Sequence, residues 1–121
     1  EIILGVTGSI AAYKACEVAS LLTKQGHTVI PVLTGAAQQM VGAASFEGIT
    51  GQRAITSMFD SSTNAEIDHV ALPTRASLVI VAPATANVLA KAAQGIADDW
   101  LTTALLVTRA PLLTISVLPA D

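Results

Sequence analysis

Apolar residues in this chain fall into short unbroken runs, separated by longer stretches in which they recur every three or four positions. Ile2-Ile3-Leu4-Gly5-Val6 is one such run and ends in Thr7-Gly8-Ser9. Thr28 to Leu33, Ser77 to Ala82 and Leu112 to Leu118 are others. Runs this short without polar alternation predict strands buried on both faces. Pro31 has no N–H to give a ladder, so the second strand is expected at an edge or locally irregular. Between the first two runs a helix is expected, with Ser9 as N-cap and Gly26 as its C-terminal glycine. Its polar stripe is Lys14, Glu17, Ser20 and Lys24, opposite Ala12, Ala15, Ala19 and Leu22. Further helical stretches are predicted from Thr34 to about Val41, Ser45 to Thr50, Val88 to Ala93 and about Ala97 to Thr108. Arg53 to Asp68 has no decided pattern, and Asp60 to Asn64 is loop by composition.

Strands alternating with helices predict an α/β domain with a mainly parallel sheet covered on both faces. Ligands of such sheets bind beyond the carboxyl ends of the strands. Three of those ends have the same chemistry here: Thr7-Gly8-Ser9, Thr34-Gly35 and Thr85-Ala86-Asn87. Small and hydroxylic residues at a helix start leave backbone N–H groups open and add side-chain donors, which holds a phosphate without a lysine. The same residues also cap helices with no ligand at all. Gly5-x-x-Gly8 is not the dinucleotide fingerprint, and no G-K-[ST] loop is present. A mononucleotide therefore fits better than NAD or ATP.

Composition narrows the class. The 121 residues suit one domain. Only 12% are charged while 52% are hydrophobic, too few charges to coat a monomer, so a homo-oligomer is expected. No run reaches the ~18–20 continuous apolar residues of a spanning helix, and Glu1 leads into a strand without a basic leader. A net charge of −3 without a basic patch argues against nucleic acid. Cys16 is alone, which fits a reducing compartment and makes the cytoplasm the expected location.

Few residues are suited to catalysis. His69, after Asp68, is the best-placed group that titrates near neutrality, since His27 sits in a glycine turn. Asp98 and Asp99 begin a helix, where they also serve its dipole without further function. No Cys/His cluster has metal-ligand spacing.

Taken together, four segments resemble the homo-oligomeric flavin-containing cysteine decarboxylases. They are Gly5 to Lys14, His69-Val70-x-Leu72, Ala82-Pro83-Ala84-Thr85-Ala86-Asn87, and Gly95-Ile96-Ala97-Asp98-Asp99-x-Leu101-Thr102-Thr103. The likeness is greatest to the phosphopantothenoylcysteine decarboxylases, including the N-terminal half of bifunctional bacterial coenzyme A enzymes. It implies a flavodoxin-like Rossmann three-layer fold and trimers, or dodecamers built from them, with FMN at subunit contacts. The activity implied is a carboxy-lyase converting 4′-phosphopantothenoylcysteine to 4′-phosphopantetheine. By carry-over Gly8, Ser9, Ile10, Thr34, Thr85, Ala86 and Asn87 hold FMN, Asp98, Asp99 and Thr102 lie near the flavin or the trimer contact, and His69 is catalytic.

The chain also departs from that family. Members continue from the last strand into P-A-M-N and then a flap, whereas this chain ends at Pro119-Ala120-Asp121. Residues 1–121 are thus expected to form one flavoprotein domain lacking its substrate clamp. Trp100 replaces a usual leucine, a change that could alter the trimer contact. Two other readings stay open: a relative acting on the C-terminal cysteine of a peptide or another substrate, and a non-catalytic regulatory relative.

Overall fold

The computed structural model describes residues 1–56 and 71–116. Among these residues four strands form one parallel sheet: β1 (Ile2–Val6), β2 (Val29–Leu33), β3 (Leu78–Val81) and β4 (Leu112–Thr114), in spatial order β2-β1-β3-β4. β1 is buried at all five positions, as its uninterrupted apolar run predicts. The sheet is the middle of three layers. Ile2, Leu4 and Val6 point to one face with Val29 and Leu33, while Ile3 points to the other with Val32, Val79 and Val81.

Helices α1 (Lys14–Lys24) and α2 (Ala43–Thr50) cover the first face. Ala12, Ala15 and Ala19 are buried, so the alanine stripe lets α1 lie close to the sheet. Gly26 follows the end of α1 with φ +91°, a left-handed conformation that glycine adopts at no steric cost. Helices α3 (Ala71–Arg75), α4 (Ala86–Gln94) and α5 (Trp100–Val107) lie in the second half of the chain, and Leu72, Val88, Trp100, Leu101 and Ala104 pack on the second face. Gly5 sets the approach of α5, because a Cβ there would lie 2.6 Å from Leu101 Cδ1.

Several boundaries differ from expectation. Ser9 caps a 3-10 turn over Ile10–Tyr13, and α1 begins only at Lys14. Only Ala37–Gln39 of the Thr34–Val41 stretch is helical, again as a 3-10 turn. α4 starts two residues early because Thr85 caps it, and α5 starts three residues late because Asp99 does. β4 stops at Thr114, short of Leu118, and α3 is an added helix. Trp100 is 4% exposed, so its side chain fills the core.

Pro31 is where an edge strand tolerates it. Thr28 and Thr34 bond towards β1, whereas the Pro31 carbonyl faces outward and accepts the Ile55 N–H at 2.8 Å. The missing N–H thus lies on the outer side of β2 and costs no ladder bond.

Candidate functional site

The strand order reverses direction between β1 and β3, and the loops leaving those two strands are bonded to each other. Thr7 is fully buried. Its hydroxyl donates to the Pro83 carbonyl and accepts the Thr85 N–H at 3.2 Å. The β2 loop joins them through Gly8, where a Cβ would stand 2.3 Å from Ala36 Cβ and 2.9 Å from its carbonyl carbon. Only glycine permits that approach. Thr34 then turns the β2 loop by accepting the Ala37 N–H at 3.1 Å.

This arrangement opens a cleft of about 370 Å³ at the carboxyl edge of the sheet. Six of the residues expected from sequence line it: Gly8, Thr34, Thr85, Asn87, Asp99 and Thr102. Gly35, Ala36, Val88 and Lys91 complete the lining. All three small-hydroxylic strand ends therefore meet in one place. The volume lies at the small end of the range for ligand pockets.

Two helix starts border the cleft and differ in chemistry. At α4, the Thr85 hydroxyl accepts the Val88 N–H at 3.3 Å. The N–H groups of Ala86 and Asn87 precede any intrahelical acceptor and are left for a ligand. At α5, the first turn is closed by a reciprocal cap. Asp99 Oδ1 accepts the Thr102 N–H at 2.7 Å and the Thr102 hydroxyl at 2.6 Å, and that hydroxyl accepts the Asp98 and Asp99 N–H groups.

Lys91 is the charged lining residue that sequence reasoning missed. It stands one helical turn after Asn87 on α4, and its Nζ meets Asp98 at 2.9 and 3.2 Å. The bond to Asp98 raises the Lys91 pKa and lowers that of Asp98. An i, i+4 spacing from a residue already singled out was the available signal.

The other expected residues fall elsewhere. Ser9 uses its hydroxyl to accept the Ala11 N–H at 3.2 Å. Ile10 is 85% exposed beside that turn, and Ala86 is the first residue of α4. Asp98 does not line the cleft and meets its wall through Lys91 and Thr102. His69 lies outside the described residues, as do residues 117–121, where the P-A-M-N expectation falls.

A parallel three-layer α/β domain with a hydroxyl-lined cleft at its switch point belongs to the doubly wound, ligand-binding class. The family model described as Flavoprotein matches residues 1–120, and the chain belongs to that family. It is similar to the coenzyme A biosynthesis bifunctional protein CoaBC of Mycolicibacterium smegmatis, at 48% identity over 93% of this chain and 27% of that protein. For the Bacillus subtilis CoaBC the identity is 41%, over 93% of this chain and 28% of that protein. The chain thus spans about a quarter of the curated relatives it matches. Among solved structures, the FMN-dependent cysteine decarboxylase SpaF superposes with a TM-score of 0.82 at 35% identity, over 93% of this chain and 65% of that one. A PPC decarboxylase variant complexed with pantothenoylaminoethenethiol gives 0.73 at 25% identity, over 92% and 63%. The fold is flavodoxin-like, as the resemblance implied. Among the described residues no helix is long and apolar enough to cross a membrane.

Proposed function

We propose that this chain is the flavoprotein domain of a carboxy-lyase that binds FMN and decarboxylates 4′-phosphopantothenoylcysteine to 4′-phosphopantetheine. The observation that carries this reading is the convergence of three small-hydroxylic strand ends on one cleft. The cleft fits a phosphorylated mononucleotide on its own chemistry. Gly8 presses against Ala36 and leaves room for a ligand, while the open N–H groups of α4 suit a phosphate. The 48% identity to a CoaBC protein supports the substrate class.

FMN, when bound, supplies the redox chemistry: two electrons leave the substrate and two return, so decarboxylation is the net reaction. The chain's residues do the rest. Gly8, Thr34, Thr85 and Asn87 bind and orient the cofactor. Val88 and Ala36 supply apolar lining that helps exclude water. His69 takes the proton from the substrate's cysteine thiol, a transfer that an imidazole titrating near neutrality suits.

Low charge and the exposed apolar side chains of Ile10, Tyr13, Leu21 and Leu106 support a homo-oligomer, a trimer or a multiple of it. A cytoplasmic setting fits the lone cysteine.

A second reading stays open beside the 35% identity to the FMN-dependent cysteine decarboxylase SpaF: the substrate is the C-terminal cysteine of a peptide. Full-length protein is expected to purify yellow and to release FMN, not FAD, on denaturation. Incubation with phosphopantothenoylcysteine and with a cysteine-ended peptide, followed by mass spectrometry, separates the substrates by loss of carbon dioxide. A colourless protein that takes up no FMN sinks both readings, and turnover of neither substrate favours the regulatory relative. His69→Asn is expected to retain FMN while the single-turnover rate falls ~10²–10⁴-fold. Wild-type turnover in that variant removes His69 from the chemistry.

A further inference from the structure

The cleft carries one charged pair that the reading above does not use. Among its lining residues Lys91 is the one cation and Asp99 the one anion. Asp99 is committed, since Oδ1 holds both the backbone and the side chain of Thr102. Lys91 is committed only to Asp98, which does not line the cleft. The two partners are unequally covered: the Lys91 side chain is 26% exposed and that of Asp98 is 53%. The stem of Lys91 thus lies largely against the cleft wall, while its ammonium and the Asp98 carboxylate both reach water.

That exposure makes the pair easy to exchange. An ion pair open to solvent is weak, because water solvates both partners nearly as well. A cation bonded to an anionic ligand in a partly enclosed cleft gains more, since less water competes there. Lys91 stands one helical turn after Asn87, and helical side chains tend toward the N-terminal turn, so the open N–H groups of α4 lie on the side to which a released Lys91 would turn. On entry of an anionic group, Asp98 can turn to water while Lys91 turns to the ligand.

We infer that Lys91 is the specificity-determining cation of the cleft, held by Asp98 in the free protein and transferred to the phosphate monoester of the bound mononucleotide. The inference rests on the assignment of FMN to this cleft. Phosphate is the relevant anion because the oxidised flavin ring is neutral and the phosphate carries the charge. A merely structural Lys91–Asp98 contact would staple the end of α4 to the start of α5. The two roles give opposite signs when the partners are removed one at a time.

The test is titration of FMN and of riboflavin into flavin-free full-length protein, followed by flavin fluorescence, for wild type, Lys91→Met, Lys91→Arg and Asp98→Asn. Lys91→Met is expected to weaken FMN by about 10- to 100-fold, the size of a charge-assisted bond, and riboflavin by less than about threefold. Lys91→Arg is expected to recover most of the FMN affinity. Asp98→Asn is expected to bind FMN at least as tightly as wild type, because it removes the competitor. The inference is overturned if Asp98→Asn weakens FMN in step with Lys91→Met, or if riboflavin loses as much as FMN. It is also overturned if Lys91→Met, checked for folding by its melting curve, binds FMN like wild type. Wild-type protein that binds neither flavin removes the cofactor assignment, and this inference with it.

Discussion

The starts of α4 and α5 both face the cleft, and both are capped helix N-termini, yet they do different work. At α4 the cap is neutral and partial: Thr85 takes one N–H and leaves those of Ala86 and Asn87. At α5 the cap is anionic and complete, with Asp99 and Thr102 satisfying each other. An anion is attracted to the first and repelled by the carboxylate of the second. A helix start is therefore a ligand site only where its own side chains leave donors over. Asn87 and Asp99 look equivalent as motif residues, but Asn87 stands in a partly open first turn and Asp99 in a closed one.

If that contrast is right, variants at the two helix starts should separate ligand affinity from stability. The loop that serves both is the control, and it carries the largest expected effect. Gly8→Val places a Cβ against Ala36, whose carbonyl carbon at 2.9 Å is backbone and cannot swing aside. We expect FMN affinity to fall more than about 100-fold and stability by roughly 1–3 kcal/mol, the usual range for overpacking. Flavin absorbance after purification and a thermal melt measure the two losses. Retention of both would mean that the loops are not packed as described.

Next in size is Asn87→Asp, which adds a carboxylate beside the open N–H groups while altering no described core contact. FMN is expected to weaken by about 10- to 100-fold, with a melting temperature close to wild type. The converse holds for Asp99→Ala. Losing an N-cap costs about 0.5–2 kcal/mol, so the melt should drop by several degrees while FMN affinity changes less than in Asn87→Asp. A variant of Asp99 that loses FMN before it loses stability would erase the distinction between the two helices.

The sequence made most of this site legible because strand ends in a parallel sheet share one edge by geometry. Once β1, β2 and β3 were recognised, Thr7-Gly8-Ser9, Thr34-Gly35 and Thr85-Ala86-Asn87 had to lie together. What it did not reveal was how each polar group is spent. Thr7 reads like any hydroxyl of the cradle, but it is buried and ties the Pro83–Thr85 loop to β1. Ser9 is spent on Ala11. A lysine mid-helix such as Lys91 reads as solvated surface unless the neighbouring helix start is known. The short 3-10 turns at Ile10–Tyr13 and Ala37–Gln39 look like regular helix in the sequence, since periodicity over three or four residues does not distinguish the two.

The smallest expected effect belongs to Lys91 and Asp98 in the absence of ligand, and it sharpens the comparison from the side of α5. The lowered pKa of Asp98 means that the pair's contribution is present above the ordinary carboxylate value of 3.8 and fades as pH falls through the lowered one. The raised pKa of Lys91 places the other limit above its ordinary 10.5, where the contribution fades as pH rises. Between about pH 5 and pH 9 the pair should therefore give no slope to the melting temperature. Both groups are open to water, so Asp98→Asn should shift the melt of the flavin-free protein by no more than about one to two degrees. Carboxyl-detected NMR adds the local readout: Asp98 should titrate below its ordinary value in wild type and move up toward it in Lys91→Met. A large melt shift in Asp98→Asn would make the pair a structural staple of the same kind as the Asp99 cap. A small shift with a displaced titration leaves Asp99 and Thr102 as what holds the start of α5, and leaves Lys91 free to change partners.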